Sequence, residues 1–331
     1  MTRLGLIVIL CFAPALAAAQ PTTPARSEFW ESISEPSHRR ARTLMRHGLT
    51  RLMEAEEAYG MSRRAVLVEG GLTRLRLARE LAPRDPAIQF ALATALSRND
   101  ELLRDGTRRA RTNEAIEAFE ALRRLDPLYE AAAVAFELGI LRTKGRDFVR
   151  AAAEYQTALA LALSANETIT VEGNLAEVSM LGGELEVAIP HFTRCVSLAR
   201  GAGAVGEQSL VLCLFGLAVA LDRGGEPTEA LARAREAVSL QGGAMTALRA
   251  EGVFFEPAYE IHHYEGLGQL ALSALEANDL DRRARLAGAR VSFTRYLDEG
   301  GATGLYADAA RRRLAELDAL LAPSPTPRRR R

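Results

Sequence analysis

The sequence predicts an all-α protein built from repeated helix pairs. Two observations predict this class. One motif recurs along the chain: a Leu-Gly or Leu-Ala pair, then a turn that contains glycine, then an alanine with an aromatic or small residue four positions later. In addition, both ends of the patterned region are amphipathic. A motif that returns every few tens of residues is typical of folds in which one helix pair stacks on the next.

The clearest copy of the motif opens with Leu138 and Gly139. A turn follows at Gly145, and Ala151 and Tyr155 then lie four residues apart on the second helix. The small residues mark places where two helices approach closely, and the large residues fill the gaps between helices. Along the chain, the small residue of the second helix stands at Gly71, Ala115, Ala151, Ala188, Ala230 and Ala289.

This motif resembles the tetratricopeptide repeat (TPR), which has a Leu-Gly pair on its first helix and A-x3-F on its second. Here Tyr155 stands in the Phe position, and Ala135 occupies the position of the usual Trp. The resemblance covers most of residues 62–297. It implies a right-handed superhelical solenoid of antiparallel helix pairs over residues 37–321, with a concave face that binds a peptide or a protein partner non-covalently.

The first and last helices are expected to cap the solenoid with polar outer faces. Residues 37–58 form one amphipathic helix, and residues 305–321 form the other, with Arg311–Arg313 on its polar face. The apolar stripe of the second cap is Leu314, Leu317, Leu320 and Leu321. Pro190 lies a few residues into a predicted second helix, which we expect to start late or to bend there.

The N-terminal segment has the pattern of a secretory signal peptide over residues 1–19. Arg3 precedes an apolar run, Leu4–Leu16, and Ala17–Ala19 provides a small-residue cleavage site. The run is short for a membrane-spanning helix, although an uncleaved anchor is the alternative. We therefore expect cleavage near Gln20 and a mature protein that is periplasmic or secreted.

Two further segments lack apolar periodicity. Residues 20–36 are expected to form a flexible linker, and residues 322–331 a disordered, arginine-rich tail. Membrane contact is expected only through the signal segment or this tail. The 42 basic and 42 acidic residues of the chain balance, which argues against a nucleic-acid partner.

The sequence favours a binding protein over an enzyme. It has no P-loop, no G-x-S-x-G, no H-E-x-x-H and no C-x-x-C motif, and no cofactor is expected. One alternative is a metal-dependent enzyme centred on His262 and His263. Adjacent helical residues point about 100° apart, so these two imidazoles are badly placed to share one ion. The other alternative is a structural subunit of an envelope complex.

The aromatic stretch around the two histidines is explained by the repeat register. Leu267 and Gly268 fill the Leu-Gly positions, and Tyr264 falls where the repeat usually has Trp. Pro257 precedes the helix, as a proline at a helix start does. The stretch is therefore predicted to be the entry into the last full repeat.

The TPR resemblance also suggests which residues line the concave face. Phe90, Phe136 and Phe215 lie two residues before the Leu of their repeats, at a position that tends to face this side in the family. Because phenylalanine occupies these positions, we do not expect a clamp for a C-terminal carboxylate. The further candidates are Thr94, Glu177, Met180, Asp222, Arg223, His262, Glu265 and Gln269. The alternative is a register error of one residue, which would place the rings in the core.

Two cysteines follow the signal segment. Cys195 belongs to the second helix of one repeat and Cys213 to the first helix of the next, so stacking would bring them together. An oxidising compartment would permit a disulfide between them. A bridge and a pair of reduced core cysteines both remain open.

Overall fold

The computed structural model of the chain describes residues 36–99, 105–161, 164–250 and 252–322. The predicted signal peptide lies outside the described residues, as do all but one residue each of the predicted linker and tail.

The described residues form thirteen α-helices and no strand. The helices are α1 (Pro36–Glu56), α2 (Met61–Leu81), α3 (Pro86–Arg98), α4 (Asp105–Leu125), α5 (Ala131–Lys144), α6 (Phe148–Ala160), α7 (Ala165–Leu181), α8 (Leu185–Gly201), α9 (Glu207–Arg223), α10 (Pro227–Leu240), α11 (Ile261–Ser273), α12 (Asp279–Asp298) and α13 (Ala307–Leu321). None of these helices combines the length and the apolar character needed to cross a bilayer. The predicted all-α fold is confirmed.

The chain divides near residue 162 into two compact units. The N-terminal unit contains α1–α6, and the C-terminal unit contains α7–α13. Within each unit, consecutive helices pack against each other as pairs: α1 with α2, α3 with α4, α5 with α6, α7 with α8, α9 with α10, and α11 with α12. The predicted stacking of helix pairs is therefore present in both units.

Side chains fix several helix starts. Asp85 caps α3 by accepting hydrogen bonds from the backbone N–H groups of Ala87 and Ile88. Pro86 is the first residue of the helix, where the missing N–H group of proline costs nothing because it would have no acceptor within the helix. At α7, the Ser164 hydroxyl and the Glu167 carboxylate bond reciprocally to each other's backbone N–H groups. These polar caps compensate the unpaired N–H groups that every helix start exposes.

The Leu-Gly position of the motif has a direct packing reason. A Cβ atom built on Gly139 would lie 2.5 Å from the Tyr155 ring, which is closer than any real contact. Glycine on α5 thus lets the aromatic residue of α6 lie against the helix backbone. Tyr155 is fully buried as a result.

The last helix pair runs in the reverse direction. In α7–α10 successive helices alternate in direction, so that α7 and α9 are parallel, as in a regular stack. In contrast, His263 near the start of α11 donates to Asp222 near the end of α9, with 2.8 Å between Nε2 and Oδ2. In the middle of the two helices, a Cβ on Gly268 would lie 3.4 Å from the Phe215 ring. Helix α11 is therefore antiparallel to α9.

This reversal corrects the prediction that the aromatic stretch opens a regular last repeat. The connection between α10 and α11 spans residues 241–260 and includes two short 3-10 turns, Thr246–Arg249 and Ala258–Glu260. Its length allows the chain to return to the far end of α9 before α11 begins. The repeat motif specifies helix pairing locally but does not specify the direction in which a pair follows so long a connection.

Helix α8 begins at Leu185 and contains Pro190 within it, so the predicted late start is wrong. Proline lacks an N–H group and leaves the carbonyl of Glu186 without its helical partner. Glu186 is exposed, which allows water to bond to that carbonyl instead.

Candidate functional site

One side of α3 in the N-terminal unit is only partly buried. The opposite side, with Ile88, Leu92 and Leu96, is fully buried in the core. The partly exposed residues recur at helical spacing and form one stripe, the α3 face: Ala87, Phe90, Ala91, Thr94 and Arg98. This stripe contains two of the predicted groove residues, Phe90 and Thr94.

Phe90 is the large apolar group of the α3 face. Its ring meets Phe119 and Tyr129 edge-on, with centroids 6.2 and 6.1 Å apart. Such edge-to-face contacts fix the orientation of an aromatic ring. Burial also raises the pKa of the Tyr129 hydroxyl above its usual value. Phe90 therefore presents a rigid ring that remains partly open to solvent.

Thr94 follows Phe90 by one helical turn, and its hydroxyl differs from most others in the helices. Thr112, Thr143 and Thr157 each donate to the carbonyl four residues earlier, at 2.8–3.0 Å. The Thr94 Oγ1 atom is buried and has no hydrogen-bond partner among the described residues. A buried polar atom without a partner is costly, and a ligand atom that bonded to it would remove that cost.

The C-terminal end of the α3 face is held by a charged link to α5. Glu137 accepts hydrogen bonds from the Ser97 hydroxyl at 2.7 Å and from Arg98 at 3.3 Å. The carboxylate is almost fully buried, so its charge is compensated within the unit rather than by a partner. This end of the α3 face therefore serves to hold α3 against α5.

Phe136 belongs to the core more than to a groove. It is 9% exposed, and its ring lies 6.2 Å from that of Tyr155. Its neighbours on α5, from Val134 to Leu141, are all buried. The prediction of an open Phe136 is therefore corrected, because α5 is enclosed on more sides than α3.

The predicted groove residues of the C-terminal unit are buried. Phe215 and Met180 have no exposed surface, and the others are nearly as enclosed: Glu177 at 3%, Asp222 at 4% and Arg223 at 6%. These residues do not line an open face, which corrects the prediction. The physical reason is that the chain's own later segments, α11, α13 and the loops before them, lie against the ends of α7 and α9.

Arg313 of α13 anchors one of these segments. Its guanidinium donates to the Asp222 carboxylate, at 2.7 Å from Nε, and to the backbone carbonyl of Pro227 at 3.3 Å. Asp222 also accepts the hydrogen bond from His263. Burial opposes ionisation of Asp222, but the hydrogen bond from His263 and the charge of Arg313 outweigh it and lower the pKa of the carboxyl.

His263 is fully buried beside Asp222. Burial lowers the pKa of its imidazole despite the neighbouring carboxylate, so the ring is neutral at pH 7. The rings of Phe293 and Tyr296 of α12 meet it edge-on, with centroids 5.2 and 5.3 Å away. His263 therefore joins α9 to the last helix pair.

Arg223 forms a second link to the same segments. Its guanidinium donates to Glu260 and lies over the ring of Tyr306, 4.3 Å from the centroid. The Tyr306 hydroxyl donates to the carbonyl of Met180 at 2.6 Å. Arg223 is not fully paired, because its Nε and Nη1 atoms are buried without hydrogen-bond partners among the described residues.

Glu177 forms a third link between helices that are distant in sequence. The hydroxyl of Tyr264 donates to its carboxyl group over 2.5 Å. Burial raises the pKa of Glu177 to about 8, and it also raises the pKa of Tyr264 far above its usual value. Glu177 is therefore protonated at neutral pH, and the contact is a hydrogen bond between neutral groups.

The remaining candidates lie on the other side of α11. His262 lies between the carboxylates of Glu265 and Glu299, at 3.2 and 3.1 Å, and Glu265 also pairs with Arg249. Gln269 is partly buried beside Gly288. His262 and His263 contact different carboxylates, and the described residues contain no group of three His, Cys, Asp or Glu that could hold a metal ion.

Cys195 and Cys213 are joined as a disulfide, with Cα atoms 5.9 Å apart. The bond connects α8 to α9, the two helices that the repeat pattern placed next to each other. It therefore ties two consecutive helix pairs of the C-terminal unit together.

Sequence reasoning missed three residues of the buried network. Arg313 was assigned to a polar outer face, yet it is 4% exposed, whereas Leu320 of the predicted apolar stripe is 60% exposed. Tyr306 was not singled out, and the contact of Glu260 with Arg223 was not foreseen. No local signal identifies them, because their partners lie 37 to 126 residues away.

No protein-family model matches this chain, and no curated protein does. Among solved structures, the chain is similar to YrrB, described as a TPR protein with an unusual peptide-binding site, at 15% identity and a TM-score of 0.40, over 72% of this chain and 96% of that one. It is also similar to the P58(IPK) TPR domain, at 12% identity and a TM-score of 0.29, over 82% of this chain and 78% of that one. Both are TPR proteins, the family that the motif resembles.

Proposed function

We propose that this protein is a non-catalytic scaffold that binds a peptide or a segment of a protein partner on the α3 face. The observation that carries the proposal is the contrast between Thr94 and its surroundings. Its hydroxyl is buried and unpaired among the described residues, one turn from the partly exposed ring of Phe90. A single face thus offers an apolar contact and an unsatisfied hydrogen-bonding group.

The chemistry of the α3 face suits an extended or helical protein segment. An apolar side chain of the partner would cover Phe90, and a backbone or side-chain polar group would pair with Thr94. Ala87 and Ala91 would permit close approach, since their side chains are small. The binding is non-covalent and needs no cofactor.

The C-terminal unit would have a supporting role in this scaffold. The positions that match Phe90 and Thr94 there are Phe215 and Val219, and both are fully buried. A partner could reach them only by displacing part of the chain. We therefore assign binding to the N-terminal unit.

We also propose that the protein works outside the cytoplasm, after cleavage near Gln20. The support is the order of Arg3, the apolar run and the small residues in the sequence. N-terminal sequencing of the protein from its producing cell tests this. A chain that starts at Met1 and stays in the cytoplasm would contradict it.

The binding proposal is tested by affinity capture from envelope extract with three baits. They are the wild type, Phe90→Ala, and Val149→Ala, whose side chain on α6 is 82% exposed. A partner of the α3 face should be recovered by the wild type and by Val149→Ala, and should be lost from Phe90→Ala. Thermal melting of each bait shows whether it is folded.

Recovery of the same proteins by all three folded baits would contradict the assignment to α3. Light scattering on the purified chain adds a second measurement. A monomer is expected for an adaptor, whereas a stable oligomer would favour a structural subunit.

A further inference from the structure

The sequence just before α1 differs in composition from the rest of the predicted linker. Residues 20–27 contain two prolines and two threonines and no aromatic residue. Residues 28–35, EFWESISE, are here called the pre-helix segment. They contain Phe29, Trp30 and Ile33, and Trp30 is the only tryptophan of the chain. Segments that stay in solvent are poor in aromatic and branched apolar residues, so this composition points to a surface that covers the segment.

The pre-helix segment ends beside the start of α3. His38 and Arg42, in the first turns of α1, both bond to the Asp85 carboxylate, at 2.8 and 2.6 Å. Asp85 is the N-cap of α3, and Ala87, two residues later, is the first residue of the α3 face. The chain therefore enters α1 at one end of the α3 face.

The segment is long enough to reach the large apolar group of this face. Phe90 follows Pro86 by four residues, which corresponds to about 6 Å along the axis of α3. Trp30 precedes Pro36 by six residues, which can span about 20 Å when extended. Phe29 and Trp30 can thus lie against the Phe90 ring without any change in the described helices.

An aromatic surface is present at this end of the α3 face. The rings of Phe90 and Tyr129 meet edge-on with centroids 6.1 Å apart, and both residues are partly exposed. Burial has the largest effect on the pKa of the Tyr129 hydroxyl, and the charges of Asp85 and Arg42 also act on it. Tyr129 therefore lies close to the start of α1, where the pre-helix segment ends.

The charges of the pre-helix segment and of α1 are complementary. The segment contains three glutamates and no basic residue, whereas residues 36–51 contain five arginines and two histidines and no acidic residue. The bond from Arg42 to Asp85 shows which side of α1 faces α3, and Arg46 follows one turn later and is exposed. A segment that turned back toward Phe90 would bring its glutamates near Arg46.

We propose that the pre-helix segment docks on the α3 face, with Phe29 and Trp30 against Phe90, and that a partner must displace it. In the C-terminal unit the matching Phe215 is buried, and the chain's own later segments lie against its helix. The Thr94 hydroxyl, unpaired among the described residues, would accept a polar group of the segment. Only the displacement rests on the proposed function. A short segment can leave the face without unfolding of the unit.

Trp30 reports on the docking directly, because it is the only tryptophan of the chain. Its emission maximum and its quenching by acrylamide are measured in the chain from Gln20 onward and in a synthetic peptide of residues 26–35. We expect Trp30 of the folded chain to emit at a shorter wavelength and to be quenched several-fold less than in the peptide. Both values should be independent of protein concentration, since the segment docks within its own chain.

Two matched pairs of variants locate the docking site. Phe90→Ala should shift both values toward those of the peptide, whereas Val149→Ala, at an exposed position of α6, should leave them unchanged. Arg46→Glu should act like Phe90→Ala but more weakly, whereas Arg40→Glu, on the other side of α1, should have little effect. Both arginines are exposed, so the second pair remains informative even if Phe90→Ala does not fold.

Three results would overturn the proposal. The first is quenching of Trp30 in the folded wild type that equals quenching in the peptide. The second is protection of Trp30 that persists in folded Phe90→Ala and in Arg46→Glu, because the segment then lies elsewhere. The third is protection that appears only at high protein concentration, which would assign the α3 face to the segment of a second copy.

Displacement by a partner is tested in the capture experiment with one further bait, Trp30→Ala. This bait should recover more than the wild type does of any protein that Phe90→Ala loses. Equal recovery by the two baits would contradict the displacement. Protection of Trp30 without any partner at the α3 face would contradict the proposed function but not the docking, so the two failures are distinguishable.

Discussion

The two units of this chain share one helix-pair motif but treat its first-helix face differently. In the N-terminal unit, the α3 face keeps Phe90 and Thr94 partly exposed. In the C-terminal unit, the matching residues of α9, Phe215 and Val219, are fully buried. The motif thus determines how two helices pair, and what lies on the resulting face depends on segments far away in sequence.

The polar contacts of the two units also differ in how far apart in the sequence their partners lie. Glu137 links α3 only to the next helix pair, 40 residues along the chain. In the C-terminal unit, Arg313 reaches back 91 residues to Asp222, and Tyr306 reaches back 126 residues to Met180. Contacts of such range make the C-terminal unit depend on its last helices.

The largest difference in stability is expected between two variants in which a phenylalanine is replaced by alanine. Phe215→Ala removes a fully buried ring and should lower the free energy of unfolding by about 3–5 kcal/mol. Phe90→Ala removes a partly exposed ring and should cost roughly 1–2 kcal/mol. Thermal melting of both variants measures this, and equal losses would show that the two faces are buried alike.

The anchoring of α13 is tested by neighbouring arginines. Arg313→Ala removes the charged partner of the buried Asp222 carboxylate and leaves it only the hydrogen bond from His263, which should cost about 3–5 kcal/mol. Arg312→Ala, at an exposed position, should change stability by less than about 0.5 kcal/mol. Denaturant unfolding of both proteins gives the comparison. Similar midpoints for the two would mean that Arg313 is not a buried anchor.

The disulfide should stabilise the C-terminal unit alone. Its cysteines are 18 residues apart, and closing a loop of that size contributes about 3 kcal/mol in the chain-entropy view. Thiol titration of the denatured protein should gain two thiols upon reduction. Two reactive thiols from Cys195 and Cys213 before reduction would exclude the bridge.

Glu177 gives the C-terminal unit a pH dependence. A carboxyl group whose pKa is raised by folding holds its proton longer in the folded protein than in the unfolded one. The stabilisation of the fold by the protonated Glu177 is therefore fully present below the unfolded pKa of about 4.5. It is lost as the pH rises toward about 8.

The expected loss within this window is about 1.4 kcal/mol per pH unit. The Glu177→Gln variant, which keeps a neutral group beside Tyr264, should not show this loss of stability. Unfolding curves of both proteins between pH 5 and pH 8 provide the test. Parallel pH profiles would show that Glu177 is ionised in the fold.

The sequence was sufficient for the paired-helix fold, because the signals involved are local. The Gly139 and Tyr155 positions of the motif, for example, reflect one contact between neighbouring helices. The closed state of the C-terminal unit could not be predicted. It depends on the reversal of α11 after a 20-residue connection and on the burial of Arg313, which the helical pattern assigned to solvent.

The most direct test of the central claim uses one cysteine in each unit. Ala91 lies next to Phe90 on the α3 face and is partly exposed, whereas Val219 of α9 is fully buried, and each can be replaced by cysteine, which is a small residue. The rate of alkylation in the native protein then reports on each face. We predict that the thiol of Ala91→Cys reacts without unfolding, whereas that of Val219→Cys reacts only as fast as the C-terminal unit opens. Equal rates for the two thiols would contradict the claim that one face is open and the other is closed.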